Sequence, residues 1–175
     1  MALQLPCGNC LGCREAKAKA WALRCQLEYT RHESAAFVTL TYDNENLPPT
    51  LDKKELSAWL KRMRRRFERS KPARRIRFFA CGEYGENTQR PHYHAILFGA
   101  SKKDAPIIQE TWAQGATMTV DANAQSMAYV AGYTAKKIGD ERRSQEQRVE
   151  EGFGRERVDA STGEVYYTWQ PPLSP

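Results

Sequence analysis

The chain has 175 residues, 41% of them apolar and 27% charged, with 27 Lys and Arg against 21 Asp and Glu. That is enough for one domain whose core needs no disulfides, and it excludes disorder by composition. No window approaches the ~18 uninterrupted apolar residues of a spanning helix, and no basic stretch followed by an apolar one opens the chain, so neither a membrane span nor a secretory signal is expected. The net charge of +6 permits a polyanionic partner.

In chain order, 14–31 is rich in helix formers, with Ala18, Trp21, Ala22, Cys25 and Tyr29 at helical spacing. Phe37 to Tyr42 is β-branched and aromatic and predicts a strand. Pro48-Pro49 marks a loop. Asp52 and Glu55 have capping-box spacing ahead of a helix whose apolar stripe is Leu56, Trp59, Leu60, Met63 and Phe67. Strands follow over 75–84 and 92–98, joined by a turn at 85–91, and a weaker one over 116–120 after a short helix. A helix over 124–138 ends at Gly139. This order predicts an α+β domain over 1–138: a central, largely antiparallel sheet with helices on one side.

Charge is unevenly placed along the chain. Between Lys61 and Arg77 ten cations face one acid, Glu68, which is a field that phosphates would feel. Arg62, Arg65, Arg66 and Arg69, with Lys137 further on, are the candidate contacts to a nucleic-acid backbone, although a solvated helix face looks the same in sequence. From Gly139 to Pro175 the balance is eight acids to five bases, so 139–175 is expected to be a charged, partly flexible tail. Within it, Val158 to Tyr167 could form a hairpin around Ser161-Thr162-Gly163.

Pro91-His92-Tyr93-His94 is the sharpest local signal. On a strand, His92 and His94 project to one face and Tyr93 to the other. Two adjacent imidazoles are a ready metal site, and a divalent ion also wants a carboxylate. Glu83 supplies it if the hairpin pairs with an odd residue sum; an even sum turns Glu83 away and leaves Glu86 as the alternative. Two histidines and one carboxylate also build mononuclear iron oxygenases.

On the last helix, at ~100° per residue, Tyr129 and Tyr133 lie about 40° apart and Lys136 within about 20° of Tyr129. Two phenols and one ammonium share a stripe, unless the tyrosines simply face the core. A phenol near pKa ~10 needs help to attack at neutral pH, and a neighbouring lysine stabilises phenolate or a phosphoryl oxygen.

Five cysteines in a chain without a secretory signal point to a reducing cytoplasm. Cys7-x2-Cys10-x2-Cys13, with Cys25, could hold Zn²⁺. An iron–sulfur cluster or free thiols packed near the sheet are the alternatives.

Together, Phe37-Val38-Thr39-Leu40-Thr41-Tyr42, Pro91-His92-Tyr93-His94 and Tyr129-x3-Tyr133-x2-Lys136-Lys137 resemble the three motifs of the HUH endonucleases. The similarity is closer to the replication-initiation proteins of gokushovirus-type microviruses, which Cys7 to Arg14 and Cys81 to Glu86 also resemble. It runs from about Pro6 to Gly139. The resemblance implies a ferredoxin-like palm and a Mn²⁺ or Mg²⁺ ion on His92, His94 and Glu83. It implies a tyrosine that nicks single-stranded DNA at a replication origin, leaving a 5′-phosphotyrosine and a 3′-hydroxyl primer for host replication machinery. The second tyrosine would cleave and rejoin after one circle. The alternative from the residues alone is a non-catalytic, zinc-dependent nucleic-acid-binding module.

Overall fold

The β-branched, aromatic segment β1 (Ala35–Thr41) lies inside a four-stranded sheet, between β3 (Pro91–Phe98) and the edge strand β4 (Thr117–Asp121). The edge strand β2 (Arg77–Tyr84) completes the order β2-β3-β1-β4, and every pairing is antiparallel. The computed structural model describes residues 5–8, 10–85, 88–136, 154–158 and 165–169, the last three residues of 88–136 and both later segments through their backbone only. Helices α1 (Leu11–Tyr29), α2 (Lys53–Glu68), α3 (Ala105–Trp112) and α4 (Ala124–Lys136) flank the sheet. Strands β5 (Gly154–Val158) and β6 (Val165–Trp169) form the expected hairpin, Val158 opposite Val165; Ser161 to Gly163, placed at its turn, lie outside the described residues.

The antiparallel sheet flanked by helices is the expected class, but the helices cover both faces rather than one. The physical reason is in β1 and β3, which are apolar on both sides and lose contact with water on both. Ala36, Val38, Leu40, Tyr93, Ala95 and Leu97 form one face, packed against Trp59, Leu60, Met63 and Phe67 of α2 and against Ile108 and Trp112 of α3. Phe79, Cys81, Ile96 and Phe98 lie on the opposite face, under Trp21 and Cys25 of α1 and Met127, Val130 and Ala131 of α4. Period-two alternation thus divides the molecule into two cores.

Local contacts fix the connections. Asp52 caps α2 by accepting from the Lys54 N–H at 2.7 Å. Glu55, expected to close the box, accepts instead from the Tyr42 hydroxyl. Trp112 Nε1–H donates to the Thr41 carbonyl at 2.7 Å, tying α3 to the end of β1. Gly115 lets the next turn approach that end closely: a Cβ there would lie 2.5 Å from the Thr41 oxygen and the Asp43 nitrogen. Helix α1 ends and α4 begins where β1 starts, through Gly99 N–H to Ser34 and Ala122 N–H to Ala35. The two helices pack together along one face, and α4 then runs over β3.

Candidate active site

The β2–β3 hairpin pairs with an odd residue sum. Glu83 stands directly opposite His92, and Cys81 opposite His94. The turn enforces this register with Gly85 N–H to Arg90 O at 3.0 Å and Gln89 N–H to Gly85 O at 2.8 Å. One Glu83 carboxylate oxygen therefore lies 3.4 Å from His92 Nε2 and 3.3 Å from His94 Nε2. The ligand atoms of these three residues lie within 4.8 Å of one another. Two ligands of one ion at about 2.1 Å are spaced in this way. The tautomers suit the task as well. His92 Nδ1 lies 3.2 Å from the Arg90 carbonyl, which can only accept, so its Nε2 keeps the lone pair. By donor chemistry and spacing the trio fits a divalent cation.

Helix α4 brings both tyrosines over the same point. The Tyr133 ring lies parallel to His94 with centroids 5.7 Å apart, and Tyr129 meets His94 edge-on at 5.4 Å. The two hydroxyls share a hydrogen bond of 2.5 Å. Their environments differ: Tyr133 is 5% exposed and Tyr129 is 49% exposed. Burial, then hydrogen bonds to Glu83 and Tyr129, hold the Tyr133 proton well above the ordinary phenol pKa. Tyr133 is therefore a protonated donor at neutral pH. Val130 and Ala131, the competing core-facing residues, are buried, and the tyrosine stripe is turned towards the imidazoles.

Two contributors have no signal of their own in the sequence. Thr39, opposite His94 on β1, places its hydroxyl 3.0 Å from His94 Nδ1. A neutral His94 that donates there presents the Nε2 lone pair to a cation. Phe37 stacks on His94 at 5.5 Å and meets Tyr129 edge-on at 6.1 Å. Thr39→Val, which keeps the shape and removes the hydroxyl, is expected to weaken Mn²⁺ binding about 10–100-fold without lowering the melting temperature. Calorimetric titration reads this directly, and an unchanged affinity would show that Thr39 does not orient the ring.

Residues 35–138, more than half of the chain, match the family model of the ORF2-type replication-associated proteins. The chain belongs to that family. It is 32% identical over 152 residues to replication-associated protein VP4 of Bdellovibrio phage phiMH2K, covering 76% of this chain and 48% of the relative. It is 30% identical over 157 residues to replication-associated protein ORF2 of Spiroplasma virus 4, covering 77% and 49%. The chain therefore spans about half the length of these relatives. Among solved structures, the hypothetical protein ORF119 of Sulfolobus islandicus rod-shaped virus 1 overlaps 70% of this chain and 97% of its own, at 15% identity and a TM-score of 0.45.

Other expected site residues of this replication-associated protein fall elsewhere. The basic helix α2 lies behind the sheet, on the face opposite His92 and His94. Arg62 Nε–H donates to the Thr111 carbonyl at 3.2 Å, and Arg66 pairs with Glu110 at 2.8 Å. From the same run, Arg64 donates to Ile76 O at 3.0 Å and Arg74 grips buried Asp104 with two hydrogen bonds. Much of this charge ties α2 and its following loop to α3 and β2. Arg65 and Arg69 are exposed, also away from the tyrosines. Lys136 is on the last turn of α4; Lys137 and the alternative ligand Glu86 lie outside the described residues.

The cysteines separate into two groups. Cys7, Cys10 and Cys13 gather at the start of α1, with Cys7 and Cys13 sulfurs 3.8 Å apart, and their sulfurs form a second cluster able to hold a metal. Cys25 does not join them. It is twelve residues beyond Cys13 on the same helix, about 18 Å along its axis, and it is buried against the sheet. Burial pushes its thiol up to about 11, as expected of an inert core cysteine. No helix among the described residues is long and apolar enough to cross a membrane.

Proposed function

We propose that residues 1–138 form the nicking and rejoining domain of a rolling-circle replication initiator that acts on single-stranded DNA at an origin. The observation that carries this reading is the meeting of two phenol oxygens above a cluster of one carboxylate and two imidazoles. His92, His94 and Glu83 would hold Mn²⁺ or Mg²⁺, which supplies Lewis-acid polarisation of the phosphodiester. Two imidazoles suit Mn²⁺ better, since Mg²⁺ prefers oxygen.

The chain's own residues supply the rest. Tyr129, half open to solvent, meets the substrate first. Its oxygen forms a bond to phosphorus as the bond from phosphorus to the 3′-oxygen breaks. The phenol proton is lost and the departing oxygen gains one, giving a 5′-phosphotyrosine and a 3′-hydroxyl. One ester replaces another, so no nucleotide hydrolysis is needed. Lys136 would offset charge on the phosphoryl oxygens. Tyr133 would repeat the exchange when the origin returns, releasing a closed circle. Host polymerase would extend the free hydroxyl in the host cytoplasm, and the Cys7–Cys10–Cys13 cluster would bind Zn²⁺ beside the catalytic domain. The test is incubation with a single-stranded origin-like oligonucleotide and Mn²⁺, followed by peptide mass spectrometry. A DNA adduct on Tyr129 or Tyr133 is expected. Intact oligonucleotide and unmodified tyrosines with both Mn²⁺ and Mg²⁺ would overturn the reading.

A further inference from the structure

With α2 behind the sheet, the cations on the site's own face become the ones that matter. A cleft of about 550 Å³ lies between α1 and the edge strand β2, lined by Trp21, Arg24, Glu28, Arg31, Arg77 and Phe79 among others. A space of this size falls within the ~300–1,000 Å³ of ligand sites. Phe79 projects to the same face as Glu83, four residues along β2, so the cleft begins about 13 Å from the candidate metal ligands. Its wall is aromatic: Trp21 stacks on Phe79 with centroids 5.0 Å apart, and the Arg24 guanidinium lies 4.9 Å over the Trp21 ring. Its charge is cationic, three guanidiniums to one carboxylate. That carboxylate, Glu28, is already engaged by Arg77 at 3.2 Å and by His32 at 2.8 Å.

Aromatic rings interleaved with arginines suit stacked bases joined by phosphates, which any sequence of single strand supplies. We propose that this cleft seats bases of the single-stranded DNA flanking the scissile phosphate, with Arg24 and Arg31 on its backbone. The inference rests on the nuclease reading for its substrate, but it is tested by binding alone. Fluorescence anisotropy with a single-stranded oligonucleotide in EDTA measures affinity without cleavage. The double variant Arg24→Ala, Arg31→Ala is expected to bind about tenfold more weakly, with a salt dependence shallower by about one to two units of slope. Arg65→Ala, Arg69→Ala on α2 is expected to bind like wild type. In the wild-type protein, an oligonucleotide carrying 5-iodouracil should crosslink to the peptide containing Trp21, and this result decides the matter if the double variant melts early. Wild-type affinity and slope in a folded Arg24/Arg31 variant, a loss confined to the Arg65/Arg69 variant, or crosslinks only outside the cleft would overturn the proposal. Nicking by wild type in Mn²⁺, scored separately, shows whether the nuclease reading stands or falls independently.

Discussion

Replacing His94 with alanine should eliminate metal-dependent nicking by at least about a thousandfold, because Lewis-acid stabilisation is worth several kcal/mol and each 1.36 kcal/mol is tenfold in rate. His94 is the ligand most tightly specified by its surroundings. It is 6% exposed, lies parallel to Phe37 and Tyr133, and touches Thr39 through Nδ1. Removing its ring also leaves a hole between aromatic neighbours, so the melting temperature must be followed alongside the rate. Glu83→Gln avoids that difficulty: the shape is kept and only the charge is lost. Both variants should retain single-strand affinity, since the ligands are not the cations that grip the backbone. Nicking at full rate in excess chelator, or in a folded Glu83→Gln protein, would show that the trio plays no part in catalysis.

Tyrosine substitutions should divide the reaction into its two halves. Tyr129→Phe is expected to abolish the first cleavage, with no covalent adduct on a single-stranded substrate. Tyr133→Phe should still cleave once and form the adduct, yet fail to release a closed circle from a two-origin substrate. The expectation follows from access, since Tyr129 is the open phenol and Tyr133 the enclosed one, hydrogen-bonded to Glu83. Gel assays on one-site and two-site oligonucleotides separate these outcomes. The reverse pattern would assign the first attack to Tyr133. An adduct in the Tyr129→Phe, Tyr133→Phe double variant would remove both from the chemistry.

The imidazole pair is legible in the sequence because strand geometry has a period of two: His92 and His94 had to share a face wherever 92–98 paired. Glu83 was legible only up to parity, and the parity was set by a seven-residue turn whose hydrogen bonds depend on Gly85 and Arg90. The side of the sheet taken by α2 was not legible. Its apolar stripe shows which face of the helix is buried, but β1 and β3 offer an apolar surface on both sides, so nothing local chooses between them. The cationic run consequently looked like the DNA contact, while the arginines facing the site were spread over α1 and β2 without forming a cluster in the chain. Thr39 was invisible for a different reason. Threonine is an ordinary strand residue, and only its register against His94 gives it a role. Cys25 shows the converse error, in which residue type suggested a ligand and helix length ruled it out.

The 2.5 Å between the phenol oxygens sets the mechanical scale of any hand-over from one tyrosine to the next. A strand tethered to one ring is already within touching distance of the other. Passing it on requires a side chain to swivel, which takes picoseconds to nanoseconds in open positions, whereas hinged bodies need microseconds or longer. In such an arrangement the protein never limits the tempo of the cycle. The clock is the polymerase that brings the origin round again, and the initiator waits, loaded, until it does.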